Sequence, residues 1–342
     1  MFYRADIPQV SHSVEVLEHV TPSQFATILN ECTEPVLLKG LVSDWQVVKL
    51  ARESYEKLDA YLRGLYEGAT VNVFSGEPEI EGRYFYNEDM TGLNFVKSRA
   101  KLDAVLDLLQ KHRVSDPSPC FYVGATTVDS CLPGFRSDNL LDFGDLQPLP
   151  SIWIGNQARI AAHYDLPDNV ACVAAGHRRF TLFPPDQLAN LYAGPIDFTP
   201  AGQQISLVDF HNPDLDRFPA FPEAMKQALV AEMEPGDAIF VPSMWWHHVE
   251  SLDRLNVLVN YWWRKSPAYM GPPIDVLYHA LLSLRDLPPA QKKAWSGIFE
   301  HYIFGDDTSP EHIPDHIQGS LGPLDETMAR RLRATLLSRL NR

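Results

Sequence analysis

Ala162-His163-Tyr164-Asp165 sets an imidazole and a carboxylate two residues apart in an apolar stretch. On an extended strand, residues two apart share a face, so His163 and Asp165 point one way and Tyr164 the other. A histidine and a carboxylate side by side supply two ligands of a 2-His-1-carboxylate metal site. Such a site keeps positions open for O2 and a cosubstrate. The third ligand should be a histidine on a distant strand folded back alongside. Pro242-Ser243-Met244-Trp245-Trp246-His247-His248-Val249 offers two. Adjacent strand residues face opposite sides, so one of His247 and His248 can join the pair, and periodicity does not say which. An HxD triplet alone often arises by chance, and a His-His pair is more often solvated than a ligand. Together, each in an apolar strand, they strengthen the metal reading. His177 and His211 lie near this region without ligand spacing. The remaining histidines (His12, His19, His112, His279, His301, His312, His316) fall in helix or loop contexts.

Ligands from distant segments need a scaffold of strands. From Cys120 to Trp263, short apolar runs alternate with Pro, Gly, Asn and Asp: CFYVG, SIWIG, NVACVAAG, RRFTLFPP, DAIFVPSMWWHHV and LNVLVNYWW. Their length and β-branched or aromatic content predict strands, and so many in succession predict a barrel or sandwich. Glu234-Pro235-Gly236-Asp237 is the turn that starts the strand leading to the histidine pair. Upstream, Ser13–Val20 reads as a strand. A helix follows, with Thr21 as its cap and Pro22 in its first position. Pro35–Lys39 reads as a short buried strand ended by Gly40. Thr70–Phe74 and Gly82–Tyr86 read as strands, and Glu53–Arg63 and Leu102–Lys111 as helices. After Pro272-Pro273 the pattern is helical over Ile274–Leu284, Pro289–Phe304 and Leu324–Leu340. The last carries Leu324, Met328, Leu332, Leu336 and Leu340 every four residues. The expected organisation is a single mainly β domain with flanking helices. Residues 1–118 form an α/β segment, 119–264 the strand-rich core and 265–342 a helical segment.

Composition narrows the function. Hydrophobic residues make up 45% of the 342, which suits a sizeable core. No apolar run approaches the roughly 18 residues of a membrane span. The first 20 residues lack an apolar stretch behind a basic start, so no secretory signal is expected. The expected location is cytoplasmic. Cys32, Cys120, Cys131 and Cys172 are widely spaced and form no CxxC pair, as expected of reduced thiols. A net charge of −15 repels phosphate backbones, which disfavours a nucleic-acid partner. Small molecules or basic protein segments fit better.

Taken in order, PVLLKGLVSDW, HYDLPDNVACVAAGHRRFTLFPPDQLANLY, FHNPDLDRFPAF, EPGDAIFVPSMWWHHVESL and VLVNYWW resemble the jumonji-C hydroxylases of the cupin superfamily. The likeness is nearest to the asparaginyl hydroxylase that inhibits hypoxia-inducible factor and to bacterial cupin-like relatives. It runs from about residue 13 to 300 and is strongest over 150–264. It implies a double-stranded β-helix (jelly-roll) core and Fe(II), 2-oxoglutarate and O2 as cofactor and cosubstrates. In the family the first histidine of the pair is the ligand, which implies His163, Asp165 and His247 as metal ligands and catalytic centre.

The resemblance also implies a cosubstrate pocket. Asn169 and Asn260 would hydrogen-bond near the metal-chelating end of 2-oxoglutarate, and Trp262 would line the pocket. Arg178 stands where the family usually has a lysine that pairs with the far carboxylate, and an arginine fork can make that pair. Tyr122 resembles a tyrosine that supports the same carboxylate. Ile160 departs from the pattern, for a close relative has a hydroxyl residue there. The implied activity is hydroxylation of a C–H bond in a protein side chain or small molecule. Three rivals stand beside it: a metal-binding cupin without 2-oxoglutarate chemistry, a non-catalytic module, and an RNA-modifying hydroxylase. The C-terminal helices could make a homodimer, as in the resembling hydroxylases, or cover the barrel's own open face. The loop from Tyr192 to Glu223 would lie near the pocket mouth.

Overall fold

The structure is a computed structural model that describes residues 12–305 and 310–341. It begins with β1 (His12–Ser13), β2 (Glu15–Glu18), α1 (Pro22–Glu31), β3 (Val36–Lys39), α2 (Gln46–Glu53) and α3 (Tyr55–Leu65). β4 (Thr70–Gly76), β5 (Arg83–Tyr84), β6 (Val96–Lys101), α4 (Leu102–Lys111), β7 (Cys120–Thr127), α5 (Val128–Cys131) and α6 (Phe135–Asp138) come next. Four strands follow without a helix: β8 (Leu149–Gly155), β9 (Ala158–Tyr164), β10 (Asp168–Ala175) and β11 (Arg178–Phe183). After a long loop come α7 (Phe221–Lys226), β12 (Leu229–Met233), β13 (Ala238–Val241), β14 (Trp246–Ser251) and β15 (Asn256–Trp263). The chain closes with α8 (Pro273–Ser283), α9 (Pro289–Phe299) and α10 (Glu326–Leu340).

Among the described residues the strands form two sheets, ordered β1-β12-β11-β14-β9-β5 and β2-β3-β13-β10-β15-β8-β7-β4-β6. The central eight strands, four in each sheet, are the jelly-roll. Period-2 alternation sorts their side chains into layers. Ala171 and Val173 of β10 pack between the sheets with Phe180, Leu182, Met233, Ile239 and Leu258. Val170, Cys172 and Ala174 point the other way, into a layer with Phe25, Leu29, Val48 and Leu106 of the N-terminal helices. With both faces covered, β10 is buried at every residue, which is why NVACVAA reads as a continuous apolar run. Burying a side chain such as Phe180 or Leu182 contributes about 1.5–3 kcal/mol.

Local chemistry fixes the ends of these elements. α1 opens on a capping box: Thr21 accepts from the Gln24 backbone N–H, and the Gln24 side chain accepts from the Thr21 N–H. Asp237 is 2% exposed and ties down the turn before β13. It accepts from Lys39 Nζ at 2.7 Å and from the Gly40 and Glu234 N–H groups at 3.0 Å each. Several expected segments come out shorter. The strand at Ser13–Val20 is reduced to Glu15–Glu18, set off from His12–Ser13 by Val14. The strand at Gly82–Tyr86 contracts to Arg83–Tyr84, paired with the edge of β9. The helix at Pro289–Phe304 changes at Glu300 into a π-helical turn through Phe304.

One compact unit ends at Arg264 and a second begins at Lys265. In the second, Tyr269 Oη donates to the Leu324 carbonyl at 2.9 Å, and Arg333 donates to the Tyr269 carbonyl. No residue of α8, α9 or α10 is buried. Among the described residues no helix is long and apolar enough to cross a membrane.

The β10–β11 hairpin turns at Gly176, two residues before Arg178, with φ +73°. A Cβ there would stand 2.3 Å from Asn256 Oδ1 and 2.7 Å from the Leu255 carbonyl. Backbone strain and collision act together, so Gly176→Ala should destabilise the protein by roughly 2 kcal/mol or more. The check is a fall in the urea midpoint with the slope of the transition unchanged.

Candidate metal centre and its pocket

β9 and β14 are antiparallel neighbours, and His163 lies directly across the ladder from His247. Their ring centroids are 4.3 Å apart. Asp165 follows the end of β9, and its Oδ2 lies 3.7 Å from His247 Nε2. The ligand-type atoms of His163, Asp165 and His247 all fall within 4.8 Å of one another. The adjacent His248 faces the opposite side of the sheet, with its ring against Phe210 at 4.5 Å. Of the histidine pair it is therefore His247 that meets His163 and Asp165.

The backbone sets both imidazoles for ligation. His163 Nδ1 is 2.9 Å from the Ala161 carbonyl, and His247 Nδ1 is 3.0 Å from the Trp245 carbonyl. A carbonyl only accepts, so each Nδ1 carries the proton and each Nε2 keeps its lone pair. Burial, and then the neighbouring His163, push the His247 pKa down to about 4 against the opposing pull of Asp165. His247 is thus neutral at pH 7, and protons do not compete for its lone pair.

The turn into β14 is held by the same segment that supplies Asp165. The Asp165 carbonyl accepts from the Met244 N–H at 2.9 Å, and Met244 adopts a left-handed φ of +69°. That conformation costs a non-glycine residue about 1–2 kcal/mol. Ser243 N–H donates to Asp168 Oδ1 at 2.9 Å, and Trp245 Nε1 donates to the Thr33 carbonyl at 3.0 Å. Asp165 itself is 8% exposed and accepts from the Gln203 side-chain amide.

The three ligand-type residues open onto a cavity of about 340 Å³ inside the jelly-roll. Arg178, Asn169, Asn260, Tyr122 and Trp262 all lie on the same cavity, so every residue expected at the site reaches it. Asn260 Nδ2 donates to Asn169 Oδ1 at 2.9 Å, while Asn260 Oδ1 and Trp262 Nε1 have no partner. Arg178 is wholly buried, and none of its three guanidinium nitrogens has a hydrogen-bond partner. Burial pulls its pKa down, and Tyr122 is the polar neighbour that pulls it back. The Tyr122 hydroxyl thus faces the guanidinium, and no carboxylate pairs with it among the described residues. Among the described residues Asp165 is the one acid on the cavity wall, and it sits with the histidines.

Several cavity residues have no motif to announce them. Phe74, Tyr84, Phe95 and Trp153 supply an aromatic wall, with Tyr84 and Phe95 edge-to-face at 5.2 Å. Ile160 also lines the cavity and offers no hydrogen bond. Gln203 comes from the 192–223 loop, as do Pro200, Ala201 and Ile205 on the wall. His177 lies apart from the cavity and pairs with Asp253 at 2.7 Å.

A cupin-like domain model matches residues 22–269. The lysine-specific demethylase JMJ31 of Arabidopsis thaliana is 37% identical over 127 residues, 36% of this chain and 23% of that protein. HSPB1-associated protein 1 of Homo sapiens is 37% identical over 114 residues, 33% of this chain and 23% of that protein. The tRNA wybutosine-synthesizing protein 5 of Mus musculus is 30% identical over 141 residues, 37% of this chain and 42% of that protein. The matched stretch spans less than half the length of each of these relatives. A jelly-roll core, a His-Asp-His cluster within it and a domain match over most of the chain agree: this chain belongs to the cupin-like domain family, in its jumonji-C type.

Proposed function

We propose that this chain is an Fe(II)- and 2-oxoglutarate-dependent oxygenase that hydroxylates a C–H bond of a protein side chain or a small molecule. The observation that carries the reading is Arg178, a buried cation faced by the Tyr122 hydroxyl but by no acid among the described residues, on the cavity that holds the His-Asp-His cluster. Leaving a charge unpaired in the interior costs several kcal/mol, so the site is built for an anion that arrives. A dicarboxylate with one end at a metal and the other at a guanidinium fits both features.

The donor set, two imidazole nitrogens and one carboxylate, suits Fe(II). His163, Asp165 and His247 would hold the metal, with Gln203 orienting Asp165. Arg178 would take the far carboxylate of 2-oxoglutarate as a bidentate, charge-assisted pair. Tyr122 would add a hydroxyl to that carboxylate, and Asn260 and Asn169 would bond near the other end. Trp262 and the aromatic wall would exclude water. When bound, Fe(II) and 2-oxoglutarate supply the oxidising chemistry that turns C–H into C–OH with O2, releasing succinate and CO2. Ile160 supports the second reading, a metal-binding cupin without 2-oxoglutarate, since it removes one hydrogen bond from the pocket.

For the substrate, the net charge of −15 favours a basic protein segment or a small molecule over RNA. The demethylase relative is named for lysine and the wybutosine relative for tRNA. Cys120, Cys131 and Cys172 are buried thiols, which suits a reducing compartment such as the cytoplasm. Homodimerisation through the C-terminal helices completes the proposal. Leu282, Ile303, Phe304 and Leu337 there are exposed apolar side chains, a surface of the kind that marks association.

Two outcomes follow. Arg178→Met keeps the side-chain volume and removes the unpaired charge. The metal-free variant should melt at or above the wild-type temperature. With Fe(II) under anaerobic conditions, 2-oxoglutarate should raise the wild-type melting temperature, and the variant should need about a hundredfold more. An equal shift in both proteins would remove Arg178 from the pocket. Light scattering coupled to size exclusion should give a mass near twice 38.6 kDa. Ile303→Asp with Leu337→Asp should return it to the single-chain mass, and a monomeric wild type would refute the dimer.

A further inference from the structure

β14 carries ligand-type residues on both of its faces. His247 and Val249 face the cavity, and His248 and Glu250 face outward. The loop between β11 and β12 lays His211 over this outer face, with its Nε2 2.6 Å from Glu250 Oε1. The ligand-type atoms of His211, His248 and Glu250 lie within 4.8 Å of one another. His248 is 5% exposed, and neither ring nitrogen has a hydrogen-bond partner. The Ile160 carbonyl is near enough to act on the ring but lacks hydrogen-bond geometry. That carbonyl favours the proton on the nitrogen that faces it and leaves the other nitrogen its lone pair.

We propose that His211, His248 and Glu250 form a second divalent-cation site on the outer face of the sheet whose inner face carries His163 and His247. Two imidazoles and a carboxylate suit a borderline ion such as Zn(II), Co(II) or Ni(II). Binding exchanges the His211–Glu250 hydrogen bond for ligation by both groups and gives the buried His248 the partner it lacks. Two arginines stand near, and each is held by other acids. Arg179 pairs with Glu232 and reaches Glu250 Oε2 only at 3.8 Å. Arg159 pairs with Glu81 at 3.3 Å and Asp209 at 3.6 Å. Glu250 Oε1 therefore faces the histidines. A cavity of about 400 Å³ opens beside His211 and Glu250, with room for water in the remaining metal positions.

The site joins a loop to the barrel. The same 192–223 segment brings Gln203 to Asp165 and Ile205 to the inner cavity. An ion at His211 would fasten that segment to β14 from outside. Binding here requires neither iron nor 2-oxoglutarate at the inner cluster.

The test is calorimetric titration of chelator-treated protein with Zn(II), in a His163→Ala/Asp165→Ala background that disables the inner cluster. One equivalent of Zn(II) should still bind. Adding His211→Ala or Glu250→Gln should weaken that binding at least about tenfold, since even an outer-shell change costs ten- to a hundredfold. His211 is exposed, so its removal leaves the fold in place. Glu250→Gln keeps the shape and a hydrogen bond to His211, and thermal melts of the metal-free variants check that both remain folded. Should one variant unfold, the other decides. No zinc bound in the background protein, or binding that neither substitution weakens, would overturn the proposal.

Discussion

The burial of Arg178 is the constraint from which the site's arrangement follows. A guanidinium is always charged and has five donors, and here it sits inside an apolar barrel with the Tyr122 hydroxyl beside it and no acid to pair it among the described residues. Such a charge is tolerated only because the surrounding fold supplies far more stabilisation than this one group removes. Phe180 and Leu182, on the same face of β11 as Arg178, belong to the tightly packed layer between the sheets. Gly176 lets the hairpin turn sharply enough to start β11 where it does. The strand is thus locked by packing, and the cation is locked with it.

The metal-binding end of the same sheet, on the neighbouring strands β14 and β9, is ordered by a different device. Asp165 and His247 are far apart in sequence, yet the Asp165 carbonyl fixes the turn that admits β14. A carboxylate and the histidine it accompanies are therefore positioned by one connection. The backbone carbonyls of Ala161 and Trp245 accept hydrogen bonds from the Nδ1–H groups, which leaves both Nε2 lone pairs for a metal without any further residue. Rigid strands hold the ligands, while the 192–223 loop contributes Gln203 and part of the wall. Loops positioned by a rigid scaffold commonly carry such adaptable parts.

Much of this was legible in the sequence. The jelly-roll strands appear as apolar runs because burial on one or both faces demands it, and HxD reads as a shared face because strands alternate. The choice between His247 and His248 was not legible from periodicity, since both fit the same strand. The resemblance implied His247, and the ladder places it across from His163. α2 is short, and its apolar spacing at Val47, Val48 and Ala51 is confined to little more than one turn beside the run PVLLKGLVSDW. β6 went unread because its VKSRAK face is solvated at nearly every position. The π-helical end of α9 has no signal in residue type. His211 carries no local signal because its partners, His248 and Glu250, are nearly 40 residues away and meet it only through the loop's return. Long-range pairings of this kind leave no local period.

The central claim of the oxygenase reading is a cosubstrate anion that meets Arg178 while it chelates the metal. The most direct measurement is anaerobic titration of the Fe(II) protein with 2-oxoglutarate, followed by visible absorption. A weak charge-transfer band that grows to saturation at one equivalent, and that succinate does not produce, is the expected result. Iron bound without any such band, at all 2-oxoglutarate concentrations, would contradict the oxygenase reading and leave a metal-binding cupin with a different ligand at Arg178.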